Sequence, residues 1–156
     1  MEEFSVVPEI TYKSIYTTRN SLGFDNKVTV VISFTDGDGD IGYRDQGNND
    51  SIFDDPDSPY YNNYVATYFI LKNGNWEDSL VYLRDTILPP KSPIGGRLPY
   101  LTPLGKNKTL KGDISCDFDV PLKTPQDTFR LDVFIYDRAL HKSNIVTTPA
   151  FILKIQ

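Results

Sequence analysis

Residues 128–137 alternate without a break. Phe129, Leu131, Val133 and Ile135 fall on one phase, and Arg130, Asp132, Phe134 and Tyr136 on the other. A β-strand sends successive side chains to opposite faces, so a period of two marks a strand with one buried face. The same period runs through Val28, Val30, Ile32 and Phe34, and through Ile114, Cys116 and Phe118. Residues 64–71 are apolar on both phases, as a central strand covered on both sides would be. Further strands are expected at 9–16, at 79–84 after the Asn73-Gly74 hairpin signal, and at 145–155 with an interruption at Pro149. No stretch carries the 3.6-residue period of a helix of ordinary length. About seven short strands, punctuated by 11 Pro and 10 Gly, predict an all-β, immunoglobulin-like two-sheet antiparallel sandwich.

The chain of 156 residues suits one domain. Residues 1–7 read as a flexible leader and 8–156 as the sandwich. A polar insertion follows the second strand at 43–63. Residues 86–108 form a Pro/Gly-rich crossover loop, with Ile94, Leu98, Tyr100, Leu101 and Leu104 as apolar anchors. A domain boundary there would leave two undersized halves.

The second strand runs into Asp36-Gly37-Asp38-Gly39-Asp40-Ile41-Gly42. Three carboxylates at spacing two repel one another, while the glycines let the backbone fold back and aim several oxygens at one point. A hard divalent cation, Ca²⁺ above all, takes six to eight such oxygens and turns the repulsion into attraction. The loop opens like an EF-hand and then departs from it. Ile41 stands where that loop requires Gly, Gly47 stands where it requires a bidentate Glu, and no helices flank it. Asp36, Asp38 and Asp40 are therefore candidate calcium ligands outside the EF-hand scheme. Asp45, Asp50, Asp54, Asp55 and Asp57 are further carboxylates among which the sequence does not choose. The alternative is a solvated acidic turn.

Charge supports a local reading. The chain carries a formal −5, but residues 36–57 hold eight Asp against one Arg, a net −7, so the remainder carries +2. No basic stripe is present, so a nucleic-acid partner is not expected. The single cysteine, Cys116, excludes an intrachain disulfide and alternates with Ile114 and Phe118 as a small core residue. No apolar run reaches transmembrane length and no signal segment follows Met1. A cytosolic chain and an exported one lacking its leader are both compatible with that.

Topology adds a fourth carboxylate. In an immunoglobulin-like sandwich the loop after the second strand and the loop before the last strand lie at the same end. The Asp/Gly loop should therefore sit beside Asp137 and the 138–144 turn. Asp137 continues the inward phase of its strand and needs a partner: a cation, Arg138, or the backbone amides of its own turn.

No catalytic constellation stands out. Asp137, His141 and Ser143 share one tight turn, which leaves no room for the opposed nucleophile, base and oxyanion hole of a triad. One His and one Cys do not make a zinc site. A non-enzyme is expected. A second binding hypothesis rests on aromatic rings: Tyr43, Tyr60, Tyr61 and Tyr64 cluster around the insertion and Trp76 lies near a hairpin tip. Such rings offer flat faces to a glycan, as in a carbohydrate-binding module; the alternative is that they pack in and over the core.

Three segments carry a resemblance: residues 34–42 after a valine-rich strand, residues 98–103 followed by 107–112, and the turn 136–144 with its Asp, Ala, Lys, Asn and Ser. Together they resemble uncharacterised Bacteroidetes surface lipoproteins with a bacterial immunoglobulin-like domain. The resemblance spans most of residues 8–155. It implies export to the cell surface or outer membrane and attachment through a lipid on an N-terminal cysteine. This sequence lacks that cysteine, so membrane contact would come only through an anchor outside it. A monomer is expected, with a glycan or a surface protein as partner. The combined expectation is a non-catalytic cell-surface domain with structural calcium at Asp36, Asp38, Asp40 and Asp137.

Overall fold

In a computed structural model of the chain, residues 3–43, 51–78, 94–105, 108–120 and 128–154 are described. Nine strands and one helical turn occur among them: β1 (Glu9–Arg19), β2 (Asp25–Asp36), α1 (Ser51–Asp54), β3 (Tyr64–Lys72), β4 (Asn75–Asp78), β5 (Ile94–Gly96), β6 (Leu110–Asp119), β7 (Thr128–Ile135), β8 (Val146–Thr147) and β9 (Phe151–Ile152). They form two antiparallel sheets, ordered β1-β2-β6 and β4-β3-β7-β8, with β5 paired to β3 and β9 to β7. The chain makes the β1–β2 hairpin, crosses to the second sheet, and returns to the first for β6. This is the strand order of an immunoglobulin-like sandwich.

The alternation read from the sequence builds the core. Val28, Val30, Ile32 and Phe34 of β2 and Ile114, Cys116 and Phe118 of β6 face Ala66, Tyr68 and Ile70 of β3 and Phe129, Leu131, Val133 and Ile135 of β7. Burial pushes the Cys116 thiol up to about 12, so it stays a neutral core group.

The strand count exceeds the expected seven for local reasons. Residues 145–155 divide into β8 and β9 because Pro149 has no N–H to give the ladder. Thr148 bridges the gap: its N–H donates to Leu131 O at 2.9 Å, and its Oγ1 accepts from Leu131 N at 3.0 Å. The hairpin turns at Asn73 and Gly74, both at positive φ (51° and 79°), and β4 returns at once to pair Leu71 with Trp76. The returning strand expected at 79–84 lies outside the described residues, as do residues 44–50 of the insertion, 86–93 and 106–107 of the crossover loop, and residues 1–2 of the leader.

Register gathers most loops at one pole. Glu9 of β1 pairs with Thr35, Asp36 of β2 with Leu110, and Tyr64 of β3 with both Gly96 and Ile135. Residues 3–8, 37–43, 51–63, 97–105, 108–109 and 136–145 therefore all lie toward that pole. Asn63, fully buried, ties this pole together. Its side chain bonds both the N–H and C=O of Leu98, its N–H donates to Gly96 O, and its C=O accepts from Tyr136 N. Asn144 caps the β1 edge by pairing with both backbone groups of Ile10 at 2.8 Å.

Leu131 is wholly buried in the middle of β7. Leu131→Ala should lower the unfolding free energy by about 3–4 kcal/mol, the range for a leucine cavity in a packed core. Urea unfolding with an unchanged m-value checks this; a loss below about 1 kcal/mol would contradict the assigned core.

Candidate metal centre

The Asp/Gly loop turns immediately at the end of β2. Asp36 is fully buried, and its Oδ2 accepts the N–H of Asp40 at 2.9 Å, closing the loop on itself. Gly39 and Gly42 take positive φ (65° and 89°). Ile41, also fully buried, forms an antiparallel bridge with Asp137 beyond β7. Two backbone donors of the 136–144 turn also fasten the loop: Arg138 N donates to Asp40 O at 3.1 Å, and Ala139 N to Asp40 Oδ2 at 3.2 Å.

The result is a convergence of four side chains. One carboxylate oxygen each from Asp36, Asp38, Asp40 and Asp137 lie within 4.8 Å of one another. Asp36 and Asp137 are fully buried, whereas Asp38 and Asp40 keep partial contact with solvent. Asp36 Oδ1, Asp38 Oδ1 and Asp40 Oδ1 are buried atoms with no hydrogen-bond donor. Orphaned buried acceptors are uncommon in folded proteins, and each calls for an explanation. Burial, then Asp38 and Asp40 alongside, pushes the Asp36 carboxyl up to about 8. Burial, then Asp137 and Asp38, raises Asp40 to about 6.

Asp137 takes one partner that the turn suggested, a backbone amide, and one that the residue pattern did not single out, the His141 ring. Its Oδ1 accepts the backbone N–H of His141 at 2.8 Å, and its Oδ2 lies 2.8 Å from His141 Nδ1. This pairing holds the imidazole above its usual range. The turn closes through Leu140 in the left-handed region at φ 68°, a strained setting for a branched side chain. Arg138 reaches elsewhere. Its guanidinium donates to Ile41 O, Gly42 O and Thr102 Oγ1 and stacks 4.3 Å over Tyr100. Ser143 Oγ accepts from Ile135 N and donates to Asn144 O, so it is not aligned with His141.

The loop glycines have a second role. A Cβ at Gly37 would fall inside contact distance of Phe4 O and Ser5 O, one at Gly39 of Lys108 O, and one at Gly42 of Pro99 O. Three backbone segments therefore run directly against the loop. Gly37 N donates to Ser5 O at 2.7 Å, Thr109 Oγ1 to Gly37 O at 3.3 Å, and Leu101 N to Ile41 O at 3.1 Å.

The five aromatic candidates do not share a face. Tyr43 is buried against Phe53 (4.6 Å between centroids), with the Arg97 guanidinium 5.2 Å from its ring. Tyr61 stacks on the same guanidinium at 4.6 Å, and Tyr60 meets Tyr136 edge-on at 5.0 Å. Tyr64 lies between the sheets, edge-on to Phe118, with its hydroxyl on Asp117 O. Trp76 lies toward the other end of β3, over Arg130. Arg97, bonded to Phe53 O, Tyr61 O and Asp54, fixes the described part of the insertion to this pole.

Comparison of the chain with family models, with curated proteins and with solved structures gives no match.

The titration of the cluster has a defined sign. Asp36 and Asp40 hold protons in the folded state well above 3.8, the ordinary value for the unfolded chain. Between about pH 4 and 8 the folded state thus binds more protons, and stability falls as pH rises. His141 acts in the same sense: its raised value stabilises below the usual 6.5 and the benefit is lost as pH climbs through the folded value. In EDTA the melting temperature should fall from pH 5 to pH 8.5, and Asp36→Asn should flatten that slope. An Asp36→Asn profile parallel to the parent would contradict the assignment.

Proposed function

We propose that this chain is a non-catalytic β-sandwich module that holds a structural divalent cation, calcium by preference, between the Asp/Gly loop and the turn after β7. The observation that carries the reading is Asp36: a carboxylate with no exposed surface, one oxygen lacking any donor, set among three other carboxylates. At 4.8 Å or less, and an effective dielectric near 20, each fully ionised pair repels by at least about 3 kcal/mol. Protons relieve that repulsion up to about pH 8; a cation displaces them and also satisfies the orphaned oxygens.

The chemistry of the donor set favours calcium. All four side-chain donors are hard oxygens, which suit Ca²⁺, Mg²⁺ or Mn²⁺ rather than softer ions. Oxygens around Ca²⁺ at about 2.3–2.6 Å lie up to about 5 Å apart across the sphere, and the four fit inside that span. Partial exposure of Asp38 and Asp40 leaves an entry path and room for water to complete six to eight ligands. The resemblance to Bacteroidetes surface lipoproteins supports an exported setting, where calcium is abundant and an affinity of about 10⁻⁴–10⁻³ M suffices. A glycan-binding role would need the tyrosines and Trp76 to converge, and their separate packing gives it less support.

A cation bound only by the folded state must stabilise it. Titrating calcium after EDTA should raise the melting temperature by about 5–10 °C at about a hundred times the dissociation constant, where the gain is about 2–3 kcal/mol, and further with the logarithm of concentration. Magnesium should do less. Asp38→Ala, which truncates a partly exposed ligand, should abolish the gain. An equal gain in that variant, or none in the parent, would refute the reading.

A further inference from the structure

The same loop that gathers the carboxylates also holds the N-terminal segment, and the two roles meet at one residue. Gly37 lies between Asp36 and Asp38. Its N–H donates to Ser5 O, and its Cα faces Phe4 O and Ser5 O so closely that no side chain fits. Among the described residues this is the one hydrogen bond that ties residues 3–7 to the sandwich; the other bond within them, Val7 N to Ser5 Oγ, is internal. Val6 and Val7 are exposed and add little packing, while Phe4 is half-buried. Residues 97–105 and 108–109, by contrast, adjoin β5 and β6 and are also held through Asn63.

We propose that cation occupancy of the Asp36–Asp38–Asp40–Asp137 cluster latches residues 4–5 onto the sandwich, so that binding is transmitted to the N-terminal segment. The proposal rests on the cation reading above. An ion held by Asp36 and Asp38 together fixes the two peptide planes on either side of Gly37. That sets the direction of the Gly37 N–H and the flat backbone surface against which Phe4 and Ser5 lie. When the ion leaves, nothing holds the Asp36 and Asp38 carboxyls to one point, those planes turn, and the segment loses its attachment. The site thereby acts as a calcium-operated clasp at the pole where the chain enters β1.

Backbone ¹⁵N relaxation on the full chain, in EDTA and in saturating calcium, tests this. Residues 4–7 should pass from order parameters below about 0.6 to about 0.8 in calcium. Gly37→Ala, which leaves all four carboxylates in place, should still bind calcium, about tenfold more weakly because the latch no longer contributes, while residues 4–7 stay below about 0.6. Amide shifts of residues 36–40 during the titration report binding itself. If those shift while the order of residues 4–7 is the same in both states, the clasp is refuted and the cation reading stands. If residues 36–40 do not respond to calcium, both fall. An ordered N-terminal segment in calcium-loaded Gly37→Ala would also overturn the clasp.

Discussion

A carboxylate with no access to water cannot remain charged unless something supplies what water did. Asp36 sits at the end of β2 with Asp38, Asp40 and Asp137 around it and one oxygen without a donor. That single requirement organises the pole. The Asp/Gly loop curls so that Asp40 N reaches Asp36, Ile41 plugs into the core beside Asp137, and the turn after β7 closes through a left-handed Leu140 so that His141 reaches Asp137. Among the described residues Leu140 is the one left-handed side chain besides Asn73 of the hairpin, and it lies at the end where the loops gather.

The glycines show how such a site is built into a fold. Positive φ explains Gly39 and Gly42, and a turn between strands needs no more. The approach of Phe4 and Ser5, Lys108 and Pro99 explains why all three positions between and after the aspartates must lack a side chain. The carboxylates point toward one another, while their backbone forms a surface on which three other segments rest. A change in charge at the centre is therefore felt by chain that is remote in sequence.

Much of the fold is legible from the sequence because period-two alternation is a direct image of a half-buried strand. The faces of β2, β6 and β7 follow from it, and Pro149 marks the break between β8 and β9. β5 leaves no such image: Ile94, Gly95 and Gly96 offer one side chain among three, and their place is set by backbone pairing to Tyr64 and by the buried amide of Asn63. At the pole, the strand order brings Asp137 to the Asp/Gly loop. The role of His141 is not legible, because its distance from Asp137 depends on how the turn closes. The backbone approach at Gly37 is hidden for a similar reason: glycine signals freedom or closeness, and only the neighbouring chain says which. The separate packing of Tyr64 and Trp76 reflects their opposite ends of one hairpin, which proximity in sequence conceals.

A crystal structure of the chain grown in calcium tests the central claim most directly. The account predicts one strong peak bonded at about 2.3–2.6 Å to oxygens of Asp36, Asp38, Asp40 and Asp137, with water filling the open side. A cluster with no such peak, in which Asp36 and Asp38 share a proton across a short oxygen–oxygen contact, would show that protons rather than a cation neutralise this pole.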